Sequence, residues 1–180
     1  MSERILVAYA TNKGSTAEVA VAIGDTLRER GYEVDVVPVT RDPSPDGYTA
    51  VLIGSAVNGG QWLPDAVQYV QRHNKSWPHL RVAVFTVHIM NAGPDERSRR
   101  KRAAYLDAVR PLLHPVDEAF FVGIGPDPGK DSWLAGWLFR RFGGAGEGDC
   151  RDWAAISGWA KAVLSNQLEH SQQLARTVAV

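Results

Sequence analysis

Two hydrophobic periods alternate along the chain. Short apolar runs lie at 5–9, 34–37, 50–53, 82–85 and 119–122. They are rich in β-branched and aromatic residues, and most are apolar throughout, as in strands covered on both faces of a parallel sheet. Between them apolar residues recur at helical spacing. Val19, Ala20, Ile23 and Leu27 share a face over 16–30, and Gly31 supplies a stop. The span 64–72 groups Ala66, Val67 and Val70, with Pro78 following. The span 95–113 groups Ala104, Tyr105, Ala108, Val109 and Leu112. The span 152–167 groups Trp153, Ile156, Trp159, Ala160, Val163 and Leu164.

Five strands alternating with four helices predict a doubly wound α/β fold around a five-stranded parallel sheet. Asp35 within the second strand and Pro38 after it mark an edge, which favours the order 2-1-3-4-5. The last strand and last helix are separated by residues 126–151. That is far beyond the roughly two to six residues usual for such a connection, so an insert is expected. Residues 170–180 pattern weakly and read as a tail. The whole of 1–180 is read as one domain.

Composition narrows the function classes. Hydrophobic residues make up 44% and charged residues 22%, which argues against disordered and fibrous chains. Lys+Arg 20 balance Asp+Glu 20, so no global field favours nucleic acid. Cys150 is the one cysteine and the five histidines are scattered, so neither a disulfide nor a metal site is expected. No apolar run approaches the roughly 20 residues of a membrane span, and no secretory signal is visible. A cytoplasmic protein is expected.

The first strand-to-helix loop carries the most specific chemistry. It contains Thr11, Asn12, Lys13, Gly14, Ser15 and Thr16. Helix N-termini present unpaired N–H groups with partial positive charge. Gly14 permits close backbone approach, the hydroxyls of Thr11, Ser15 and Thr16 add donors, and Thr16 can cap the helix. Together they predict a phosphate site. A Walker loop needs Lys after Gly, and here Lys13 precedes Gly14; a dinucleotide fingerprint needs three glycines. The spacing of Tyr9, Thr11, Gly14, Thr16, Ala20 and Ile23 resembles the flavodoxin signature, with Ala8 where that family prefers a larger residue. The resemblance implies a flavodoxin-like fold with Thr11–Thr16 on the phosphate of FMN.

Ligands of open α/β sheets bind beyond the carboxyl ends of the strands at the switch point. The resemblance therefore implies two further flavin-binding loops. One holds Ser55, Ala56, Val57, Asn58, Gly59, Gly60, Gln61 and Trp62, with Trp62 either a stacking face for the ring or a helix-start residue packing on the sheet edge. The other holds Thr86, Val87, His88, Ile89, Met90 and Asn91, with His88 a hydrogen-bond donor to the flavin or a structural residue. No catalytic residue is assigned.

Two features depart from a plain electron carrier. A basic run extends from Arg97 to Arg102. The insert carries an apolar, arginine-bearing stretch from Trp133 to Phe142. The basic run suits a solvated face, an acidic partner or anionic lipid, and the insert can cover the sheet edge, lie peripherally on the inner face of a membrane or line a large apolar substrate site. With Phe85-Thr86-Val87-His88, Pro94-Asp95-Glu96-Arg97, Gly143-Gly144, Asp149 and Arg151, they resemble the flavodoxin-like, menaquinone-dependent protoporphyrinogen oxidases. That resemblance implies an oxidoreductase passing electrons from a porphyrin-like substrate through FMN to a quinone. The alternatives are an electron carrier to a partner redox enzyme and an interaction module without FMN.

Overall fold

The computed structural model describes residues 3–127 and 144–164, with Trp137 alone between them. The apolar stretch from Trp133 to Phe142 therefore lies, apart from an exposed Trp137, outside the described residues, as does the tail.

The elements are β1 (Arg4–Ala10), α1 (Ser15–Glu29), β2 (Glu33–Pro38), β3 (Ala50–Asn58), β4 (Gln61–Trp62), α2 (Pro64–Arg72), β5 (Arg81–His88), α3 (Glu96–Ala104), α4 (Arg110–Leu113), β6 (Asp117–Val122) and α5 (Trp153–Ala162). Five strands form a parallel sheet in the order β2-β1-β3-β5-β6. This is the order expected from the edge character of β2. The short β4 is the addition: it turns back antiparallel on β3, pairing Val57 with Trp62 and Asn58 with Gln61.

Continuous apolar runs arise because both sheet faces are covered. In β1, Ile5 and Val7 enter a core shared with Ile23 and Leu27 of α1 and Ile156 and Ala160 of α5. Leu6 and Ala8 enter the opposite core with Tyr69 and Val70 of α2 and Leu113 of α4. All four β1 side chains are fully buried. Gly54 makes room for the β5 neighbour, since a Cβ there would meet the Phe85 ring at 2.0 Å.

The single helix expected over 95–113 is two. Pro111 lacks an N–H, and its ring would clash with the carbonyl four residues earlier, so a helix cannot run through it. The chain instead tightens through Leu106 N–H to Ala103 C=O at 3.3 Å and Asp107 N–H to Ala104 C=O at 3.2 Å, then restarts as α4. α3 itself buries nothing. Tyr105, Leu106, Val109 and Leu113 make the core contacts, whereas Ala104 and Ala108, expected on that face, are exposed. Trp153, expected on the buried face of α5, is also exposed; Ile156, Ala160, Val163 and Leu164 carry the packing there.

Candidate functional site

Parallel register sets Ala10, Ser55 and Thr86 side by side at one end of the sheet. The loops after β1, β3 and β5 consequently leave it together, at the carboxyl ends beside the switch point.

The loop after β1 ends at Gly14, the N-cap of α1, with φ +91°. That conformation favours glycine, and a Cβ at Gly14 would meet nothing within 4 Å. Thr11 Oγ1 accepts from the Gly14 N–H at 3.0 Å and closes the turn. Thr16, expected as a possible cap, lies two residues inside the helix. The first intrahelical bond runs from Glu18 N–H to Gly14 C=O at 3.1 Å. The N–H groups of Ser15, Thr16 and Ala17 precede it and have no helical acceptor. Thr16 is fully buried, and its Oγ1 has no hydrogen-bond partner among the described residues. A buried hydroxyl left unpaired costs about 1–3 kcal/mol. The cradle thus presents three amides and an orphaned hydroxyl, a donor set that fits a phosphoryl group.

The loop after β3 is a two-residue hairpin. Gly59 (φ +60°) and Gly60 (φ +81°) are both left-handed, as a type I′ turn requires. Asn58, Gly59, Gly60 and Gln61 are exposed, and Ala56 and Val57 half-buried. Trp62 takes the packed alternative: its ring is 3% exposed, and its Nε1–H donates to Thr86 Oγ1 at 2.9 Å. It is a strut tying the hairpin to β5 and offers no stacking face here. Ser55 is likewise buried, its Oγ accepting from the Leu63 N–H at 3.1 Å.

At the end of β5, Val87 and His88 are buried, and beyond it Ile89, Met90 and Asn91 are half-buried. His88 Nδ1 lies 2.8 Å from the Met90 carbonyl, which can only accept, so Nδ1 carries the proton. Burial pushes the imidazole below its ordinary pKa. The neutral ring therefore leaves Nε2 as an acceptor, and the expected donation to a flavin would need a second proton. Asn91 (φ +58°) donates through Nδ2 to the Tyr105 hydroxyl at 2.6 Å, which itself donates to Met90 C=O at 3.2 Å. Arg102 Nη1 donates to Asn91 C=O and to Gly93 C=O, the latter at 2.8 Å. One member of the basic run is thus a strap on this loop.

A fourth segment, not expected at the site, returns to the same end of the sheet. Ala145 N–H donates to Ile89 C=O at 2.7 Å, and Asp149 bridges to Ile124 just past β6. Arg151 then reaches Glu18 in α1 at 2.7 Å. Backbone pairing across some 55 residues leaves no periodic signal in a sequence.

A profile of the flavodoxin domain matches residues 6–123, and the chain belongs to that family. Flavodoxins bind FMN. Among curated proteins, the chain is 26% identical over 97 residues to the protoporphyrinogen IX dehydrogenase [quinone] of Escherichia coli, covering 53% of this chain and 54% of that enzyme. It spans about half the length of the curated relatives it matches. Among solved structures, it superposes on a short-chain flavodoxin associated with a non-canonical PDU bacterial microcompartment (TM-score 0.60, 12% identity, 91% of this chain and 98% of that one). Flavodoxin 2 of Bacillus cereus is similar in fold (0.56, 17%, 91% and 99%). So is the K13G mutant of the Fusobacterium nucleatum flavodoxin, solved bound to flavin mononucleotide (0.51, 10%, 67% and 69%).

Proposed function

We propose that this chain holds FMN across the loops after β1, β3 and β5 and works as a quinone-linked oxidoreductase of the protoporphyrinogen type. The observation that carries the cofactor is the buried Thr16 hydroxyl, without a partner among the described residues, at a helix start whose first three amides have no helical acceptor. Bound FMN would supply the electron transfer; the chain supplies grip, orientation and tuning. Thr11 to Thr16 hold the phosphate. Asn58, Gly59, Gly60 and Gln61 present amides and amide side chains to the ring. His88, Ile89, Met90 and Asn91 would line the site from the loop after β5, which Tyr105 and Arg102 hold in place, while Ser55, Trp62 and Thr86 fix the β3–β4 hairpin. A neutral His88 would present Nε2 there as a hydrogen-bond acceptor.

The specific reaction rests on the match to the Escherichia coli dehydrogenase and on the insert. With the basic run, that insert suits a quinone at a membrane surface. No helix among the described residues is long and apolar enough to cross a membrane. An electron carrier serving a partner redox enzyme is the second reading. It is favoured by the flavodoxin-domain match over residues 6–123. Anaerobic titration of the yellow protein separates them. Reduction by protoporphyrinogen and reoxidation by menaquinone support the enzyme. Indifference to both, with rapid reduction by an NADPH- or ferredoxin-linked reductase, supports the carrier.

A further inference from the structure

Arg151 lies 133 residues from the helix turn it touches. Its side chain is only 6% exposed. Nε and Nη2 form a two-pronged pair with Asp149, at 2.8 Å to Oδ1 and 2.7 Å to Oδ2. The planar group lies 4.4 Å from the centre of the Trp153 ring. Asp149 alone would neutralise the guanidinium, yet Nη1 makes a third bond, 2.7 Å to Glu18 Oε2. That third bond asks for a reason, because Glu18 is 58% exposed and water could solvate it without help.

Glu18 follows Thr16 by two residues and sits in the first turn of α1. A carboxylate there draws on the same positive helix end that an incoming phosphate needs, and it repels a dianion across a short distance. Bonding to a buried cation holds that carboxylate in one place and offsets its charge. We propose that Arg151 is a positioning residue for the phosphate end of the site: it holds Glu18 aside and neutralises it so that the helix start is left to the ligand. Asp149 aims the guanidinium, and its bridge to Ile124 fixes the segment to the sheet. This inference rests on the proposed FMN site at α1.

The test is calorimetric titration of the apoprotein with FMN and, separately, with riboflavin, which lacks the phosphate. Arg151→Gln is expected to weaken FMN about tenfold while riboflavin changes less than about twofold. Glu18→Gln alone leaves FMN affinity unchanged or improved. Glu18→Gln added to Arg151→Gln brings FMN back to within about threefold of the wild type. A clamp of purely structural value predicts the opposite: Glu18→Gln weakens FMN as Arg151→Gln does, and both ligands suffer alike. Either that pattern, an Arg151→Gln variant with wild-type FMN affinity, or a double variant without recovery overturns the inference. Should Arg151→Gln fail to fold, Glu18→Gln decides by itself, since a loss of FMN affinity there contradicts the proposal. A wild type that binds neither ligand removes the FMN reading first, and this inference with it.

Discussion

Thr16 shows how one side chain can serve a ligand at the expense of the empty fold. Its hydroxyl is buried and unpaired among the described residues, so replacing it with the isosteric Val removes a penalty from the apoprotein. Thr16→Val is expected to raise apoprotein stability by up to about 1 kcal/mol and to weaken FMN by about 1–3 kcal/mol. Urea melts and titration read the two signs, and equal signs contradict the role. His88 makes a second prediction. Burial depresses its folded pKa, with the Arg102 cation adding to this and the bond to Met90 opposing it. The unfolded chain therefore takes the proton first as pH falls below about 6.5, and stability drops through that window. A His88→Asn variant keeps an N–H for Met90 and has no titration, so its stability profile between about pH 5 and 7 should be flatter than that of the wild type. Parallel profiles would show that His88 titrates alike in the folded and unfolded states, which contradicts the depressed folded pKa.

Elements were legible where one period persisted and illegible where chain-distant partners decided. The fully apolar β1, β3 and β5 announced a two-sided parallel sheet, and the Gly14 turn announced a helix start, because both are local necessities. β4 was not expected: Gly59-Gly60 reads equally as an open loop, and only the pairing of Val57 with Trp62 and Asn58 with Gln61 shows the hairpin, which the bond from Trp62 to Thr86 ties to β5. Trp62 itself illustrates the limit, since a tryptophan beside glycines has the same pattern whether it faces a ligand or a core. The helix over 95–113 was overextended because apolar spacing outweighed Pro111. Within α3, Arg102 was read with its neighbours as surface charge, yet it straps the loop after β5 through two carbonyls. Replacing Arg102 with Met should speed amide hydrogen exchange at Asn91, Ala92 and Gly93 while β5 stays protected. Unchanged exchange would mean that Tyr105 and Asn91 hold the loop unaided.

Across the whole molecule, zero net charge conceals a strong asymmetry. Residues 96–102 hold five basic groups and one acidic, a net +4, which the rest of the chain balances with −4. α3 buries none of its side chains, and Arg97 and Lys101 are exposed. This basic helix follows directly from the loop after β5, so an acidic partner or anionic surface drawn to it arrives beside the site. Reversing Arg97 and Lys101 to Glu should slow electron exchange with such a partner at low salt and leave it little changed at high salt, as stopped-flow mixing can read. A rate indifferent to both salt and charge reversal removes α3 from the encounter.

The whole molecule converges on the opening of α1, where the sheet end, the returning 144–151 segment and the orphaned hydroxyl meet. Calorimetric titration of the wild-type apoprotein with FMN and with riboflavin addresses that convergence most directly. One FMN per chain, bound far more tightly than riboflavin, is the predicted result. Equal affinities, or no heat with either, would contradict a phosphate grip at Thr16 and the redox function built on it.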